Sequence, residues 1–74
     1  MTCPCKLQIN STGAWRDVLR FDIDAVDTVA LMDAASTLLL IADPDGHASL
    51  RIATADAHQR ARVRWDAKKG WVDA

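Results

Sequence analysis

The sequence predicts an α+β domain, a mainly antiparallel sheet with one helix packed on one face. Three observations carry this. Segments 5–10, 14–23, 47–54 and 58–65 alternate apolar and polar residues with the period of a half-buried strand. Three connections, 10–13, 43–46 and 66–70, open with Asn or Asp and close with Gly, the chemistry of tight turns. Only 25–36 reads as a helix between them. All 74 residues form one domain, 1–74, because chains divide only at several times this length.

The first strand, Cys5 to Asn10, alternates strictly. The second, Ala14 to Ile23, places Trp15, Leu19, Phe21 and Ile23 on one parity, and Arg16, Val18, Arg20 and Asp22 on the other. Asp17 falls on the apolar parity, a defect that a bulge near Arg16 or a frayed end repairs. Asp24 has the chemistry of a helix N-cap, and Asp27 adds negative charge in the first turn. Over Ala25–Ser36 the residues Ala25, Val29, Met32 and Ala35 share one side of a modestly amphipathic helix. Thr37–Ala42 is read as a strand, the first arm of a hairpin closed by Asp43-Pro44-Asp45-Gly46. Its leucines also suit a continued helix. Strands follow at His47–Thr54, His58–Trp65 and Trp71–Asp73, which makes the order β-β-α-β-β-β-β. The expected core is Trp15, Leu19, Phe21, Val29, Met32, Leu50, Ile52, Val63 and Trp65.

Apolar residues make up 50% and charged residues 26% of the chain, a balance that argues against intrinsic disorder. The longest unbroken apolar run, Leu38–Ala42, is five residues, far short of the roughly 20 that a membrane helix needs. No secretory signal pattern opens the sequence, so a cytoplasmic location is expected. Net charge is −1, yet the chain is polarised. Residues 1–46 hold three basic and seven acidic groups, while residues 47–74 hold six basic and three acidic.

Catalysis and metal binding find little support. Cys3 and Cys5 are not spaced as CxxC, and a disulfide across one residue is strained. With His47 and His58 they total four zinc-type ligands, but neither the usual Cys nor the usual His pair spacing is present. Asp43-Pro44-Asp45-Gly46 starts like a calcium loop and lacks its later carboxylates. No GxSxG, GxxxxGK[ST], HExxH or GxGxxG motif occurs. The expectation is a protein that is not an enzyme, without cofactor, metal or small-molecule substrate.

Binding is the better-supported class. Arg60, Arg62 and Arg64 alternate along one strand and would project from one face, with Lys68 and Lys69 in the next turn. One helix leaves the other face of the sheet open. There, Leu38 and Leu40, or the alternate pair Leu39 and Ile41, would form an exposed apolar patch with Val18. Trp71 would close the core or anchor a partner. The partner-binding set is therefore Arg60, Arg62, Arg64, Lys68, Lys69, Leu38, Leu40 and Trp71. A protein partner or a second copy is expected. The alternative is nucleic acid on the arginine face, which such a basic surface with one aromatic could follow.

The opening Leu7-Gln8-Ile9-Asn10-Ser11-Thr12-Gly13-Ala14-Trp15-Arg16-Asp17-Val18 resembles the start of small uncharacterised proteins encoded by phages and prophages. The resemblance covers about a sixth of the chain and carries no assigned active site. It implies a small cytoplasmic accessory protein that acts by binding.

Overall fold

A computed structural model describes residues 3–11, 13–56 and 58–74. It contains strands β1 (Pro4–Asn10) and β2 (Trp15–Asp22), helix α1 (Thr28–Ala42), and strands β3 (Ser49–Thr54), β4 (Ala61–Asp66) and β5 (Gly70–Asp73). The five strands form one open antiparallel sheet in the order β2-β1-β3-β4-β5. The class is the α+β expected, with one strand fewer.

The missing strand is the main correction. Thr37–Ala42 continues the helix. Leucine is a good helix former, and no Gly or Pro interrupts the run before Pro44. Leu39 also extends the half-buried stripe of Thr28, Met32 and Ala35, so one more turn buries a leucine. Pro44 disfavours helical geometry at Asp43, which closes the helix with its N–H on the Leu39 carbonyl at 2.8 Å. The N-cap is Asp27 rather than Asp24: its carboxylate accepts from the Ala30 N–H at 3.1 Å. Residues 24–26 precede the helix, and Asp22 accepts from the Asp24 N–H at 3.0 Å.

The connections follow their aspartates. Asn10 accepts from the Gly13 N–H in the β1–β2 turn, and Asp66 accepts from the N–H groups of Lys68 and Lys69 in the β4–β5 turn. Asp43-Pro44-Asp45-Gly46 is a turn too, but it joins a helix to a strand. Gly46 is needed there twice over. Its φ is +74°, and a Cβ would stand 3.0 Å from that of Ala67. Between β3 and β4, Asp56 accepts from Thr54 Oγ1 and from the N–H groups of His58 and Gln59. This knot delays the strand expected from His58, which starts only at Ala61.

The core lies between α1 and one sheet face: Cys5, Leu7, Leu39, Ala48, Leu50, Ile52 and Trp65, with Met32, Phe21, Val63 and Trp71 packed against it. Three expected core residues are not in it. Val29 sits on the solvent side of α1, Leu19 is on the exposed edge strand, and Trp15 lies on the opposite sheet face. The cause of the last is a bulge. Leu19 pairs with Leu7 and Asp17 with Gln8, so Val18 is the extra residue. A bulge was expected near Arg16; at Val18 it moves Trp15 and Asp17 together to the face away from the helix.

Candidate binding face

The sheet face away from α1 is built row by row from the strand registers. Trp15, Asn10, Ser49, Asp66 and Gly70 form one row. Asp17, Gln8, Arg51, Arg64 and Val72 form the next, and Arg20, Lys6, Ala53 and Ala61 the third. Alternation puts every second residue of β1 and β3 on this face, and in β2 and β4 a register shift resets it once.

The middle row is a connected polar chain. Arg51 Nε donates to Gln8 Oε1 at 2.7 Å, and Gln8 Nε2 donates to Asp17 Oδ1 at 2.7 Å. Lys6 Nζ stands 3.5 Å from the same carboxylate oxygen. Gln8 and Lys6 are buried although they face outward, because β1 is an interior strand with β2 and β3 on its two sides. The bond from Gln8, then the Lys6 charge, holds the Asp17 carboxyl below its ordinary pKa. The Arg51 guanidinium stacks over Trp15, 4.3 Å from the ring centroid. Arg51 is thus held rigidly by two partners.

Arg64 is directly opposite Arg51 in the β3–β4 ladder. Like charges at such positions repel. Among the described residues Arg64 has no ion-pair partner. Beside it, Trp15, Ser49, Asp66, Lys69 and Val72 help to line a groove of about 370 Å³. The groove thus offers the Arg64 guanidinium, the Lys69 ammonium, the Asp66 carboxylate and the Trp15 indole to whatever enters.

The expected arginine row is broken. Arg60 precedes β4 and lines a separate groove with Thr54, Asp56 and His58. Arg62 is the extra residue of a second bulge, since Ile52 pairs with Val63 and Ala53 with Ala61. Its Nη1 reaches Cys3 Sγ at 3.7 Å, next to the core. Only Arg64 stays on the open face. Lys69 lines the groove there, and Lys68 does not. Leu38 and Leu40 are exposed as expected, but on the helix rather than the sheet. Trp71 faces the core, and its indole N–H donates to the Met32 carbonyl at 3.1 Å, tying α1 to the β5 side of the sheet. Sequence reasoning missed Arg51, Gln8, Lys6 and Trp15 as members of the face.

Both cysteines are free thiols. Burial, reinforced by the adjacent Cys3, pushes the Cys5 thiol above its ordinary pKa. His47 and His58 are exposed beyond opposite ends of β3, and among the described residues no three metal-ligating side chains are grouped. No described helix is long and apolar enough to cross a membrane. In comparisons with known proteins, no family model, no curated protein and no solved structure matches the chain.

Proposed function

We propose that this chain is a small non-enzymatic binding protein, a cytoplasmic accessory protein of phage or prophage type, whose open sheet face takes an acidic segment of a partner protein. The Arg51–Arg64 pair carries the reading. The two residues stand opposite each other in the β3–β4 ladder, Arg51 is committed to Gln8 and Trp15, and Arg64 is left without a carboxylate partner among the described residues. A carboxylate from outside would relieve their repulsion and can engage guanidinium in bidentate fashion.

Nucleic acid on the same arginines is the second reading, and two observations weigh against it. Trp15 is already covered on one ring face by Arg51, which restricts base stacking. Asp17 and Asp66 alternate with the cations and would oppose a continuous phosphate backbone. A protein segment offers donors as well as acceptors and can meet both signs.

The test is fluorescence anisotropy with two labelled probes, an Asp/Glu-rich peptide and a single-stranded oligonucleotide. The peptide is expected to bind, and Arg64→Glu is expected to weaken it about tenfold or more, as loss of a central charged contact does. Arg60→Glu, away from the face, should leave binding unchanged. Oligonucleotide binding with a steep salt dependence, and no peptide binding, would transfer the site to nucleic acid. Binding of neither probe, or equal effects of the two variants, would overturn the proposal.

A further inference from the structure

Strand β2 is the long free edge of the sheet, and Arg16–Arg20 along it are all exposed. The indole of Trp71 holds α1 toward the other edge. An apolar groove of about 280 Å³ is left between the helix and β1–β2, lined by Leu7, Ile9, Val18, Leu19, Leu31 and Leu38 among others. Val18 is 52% exposed and Leu38 67%.

We infer that a second copy of this chain covers this edge, with β2 pairing antiparallel to β2 about a two-fold axis between Val18 and Leu19. The strand is self-complementary in that register. Asp17 stands opposite Arg20 of the second copy, Val18 opposite its Leu19, and Arg16 opposite its Phe21, each pair occurring twice by symmetry. Arg20 favours the Asp17 carboxylate of its own chain but makes no ion pair among the described residues, and this register would give it a direct one with Asp17 of the second copy.

The bulge is what makes the register work. In a regular strand this offset would set residues of opposite faces against each other. Here the extra Val18 reverses the alternation midway. Asp17 and Arg20 share the open face, through their partners Gln8 and Lys6, while Arg16 and Phe21 share the helix face, through Ile9 and Cys5. Val18 and Leu19 both line the apolar groove. Opposite residues therefore point the same way at every pair. An edge bulge ordinarily discourages pairing with a foreign strand, and this one admits a strand carrying the same bulge. A two-fold axis normal to the sheet keeps both helices on one side, so the two apolar grooves meet at the joined edges.

Sedimentation across a concentration series tests this. The wild type is expected to dimerise. Asp17→Arg and Arg20→Asp should each weaken the dimer about tenfold or more by setting like charges opposite. Mixed together, the two variants should form a heterodimer, because the exchanged charges then match. Since Asp17 also bonds Gln8, Arg20→Asp is read by itself as well, with circular dichroism confirming its fold. Leu38→Lys, on the exposed helix flank, should weaken the dimer as well. A wild type that stays monomeric throughout, or a dimer that folded Arg20→Asp leaves intact, would overturn the inference. These outcomes are independent of peptide binding at Arg64.

Discussion

Aspartate supplies every acidic group of this chain, and among the described residues Asp22, Asp27, Asp43, Asp56 and Asp66 accept hydrogen bonds from backbone N–H groups. In Asp22, Asp27, Asp56 and Asp66 the short side chain reaches the backbone two or three residues on, which a longer acid does less well, and Asp43 reaches Ala48 five residues on. Much of the negative charge is thereby committed to turns, and Arg64 on the open face keeps no ion-pair partner among the described residues. The commitment makes stability depend on pH. Asp56 is held below its ordinary pKa chiefly by Thr54 Oγ1 and then by the N–H groups of Gln59 and His58, and Asp66 chiefly by the Lys69 N–H and then by that of Lys68. A depressed folded-state pKa stabilises the fold above the unfolded value, about pH 4, and that contribution disappears as pH falls through the folded value. Thermal midpoints are therefore expected to drop below about pH 4. Asp56→Asn and Asp66→Asn, which keep a turn-forming acceptor, should each flatten that drop. An unchanged acid profile in both variants would assign the acid sensitivity elsewhere.

At the level of elements, α1 buries one narrow stripe and leaves Val29, Leu38, Leu40 and Ile41 in solvent. Leu39→Ala is expected to cost about 2 kcal/mol or more, because it opens a cavity under the helix. Ile41→Ala, on the outer side, should stay within about 0.5 kcal/mol. Equal losses in urea denaturation would contradict the buried stripe. These same residues show where sequence reasoning stopped. Five apolar residues in a row satisfy helix and strand patterns alike, and the choice is made by Leu39 reaching the core, a tertiary fact. The turn positions were legible because Asn, Asp and Gly act locally. The parity of Arg51 and Arg64 was legible too, since alternation is local. Their meeting with Gln8 and Trp15 was not. It depends on the register of β1 against β3, more than 40 residues apart in the case of Gln8 and Arg51, and on one extra residue at Val18. The second bulge removed Arg62 from its expected row for the same reason.

Across the whole molecule, the sheet divides at the ladder between β1 and β3. On one side stands the β1–β2 hairpin and on the other the β3–β4–β5 meander, each closed by short turns. The ladder itself joins residues as distant as Cys5 and Thr54. Hairpins close in microseconds, whereas a contact across such a span must first meet the entropy of a long loop. The central seam is therefore expected to be the slow step of folding. The acidic excess of residues 1–46 lies on and around α1, at Asp24, Asp27, Asp33, Asp43 and Asp45, and not in the hairpin, so attraction between α1 with its flanks and the basic remainder should speed the encounter of the two halves, and screening should remove that help. Stopped-flow refolding is expected to slow as ionic strength rises. A rate indifferent to salt would place the limiting event inside one half. During synthesis β1, β2 and α1 are all made before β3, so one edge of β1 stays unpaired until β3 arrives to close the sheet against it.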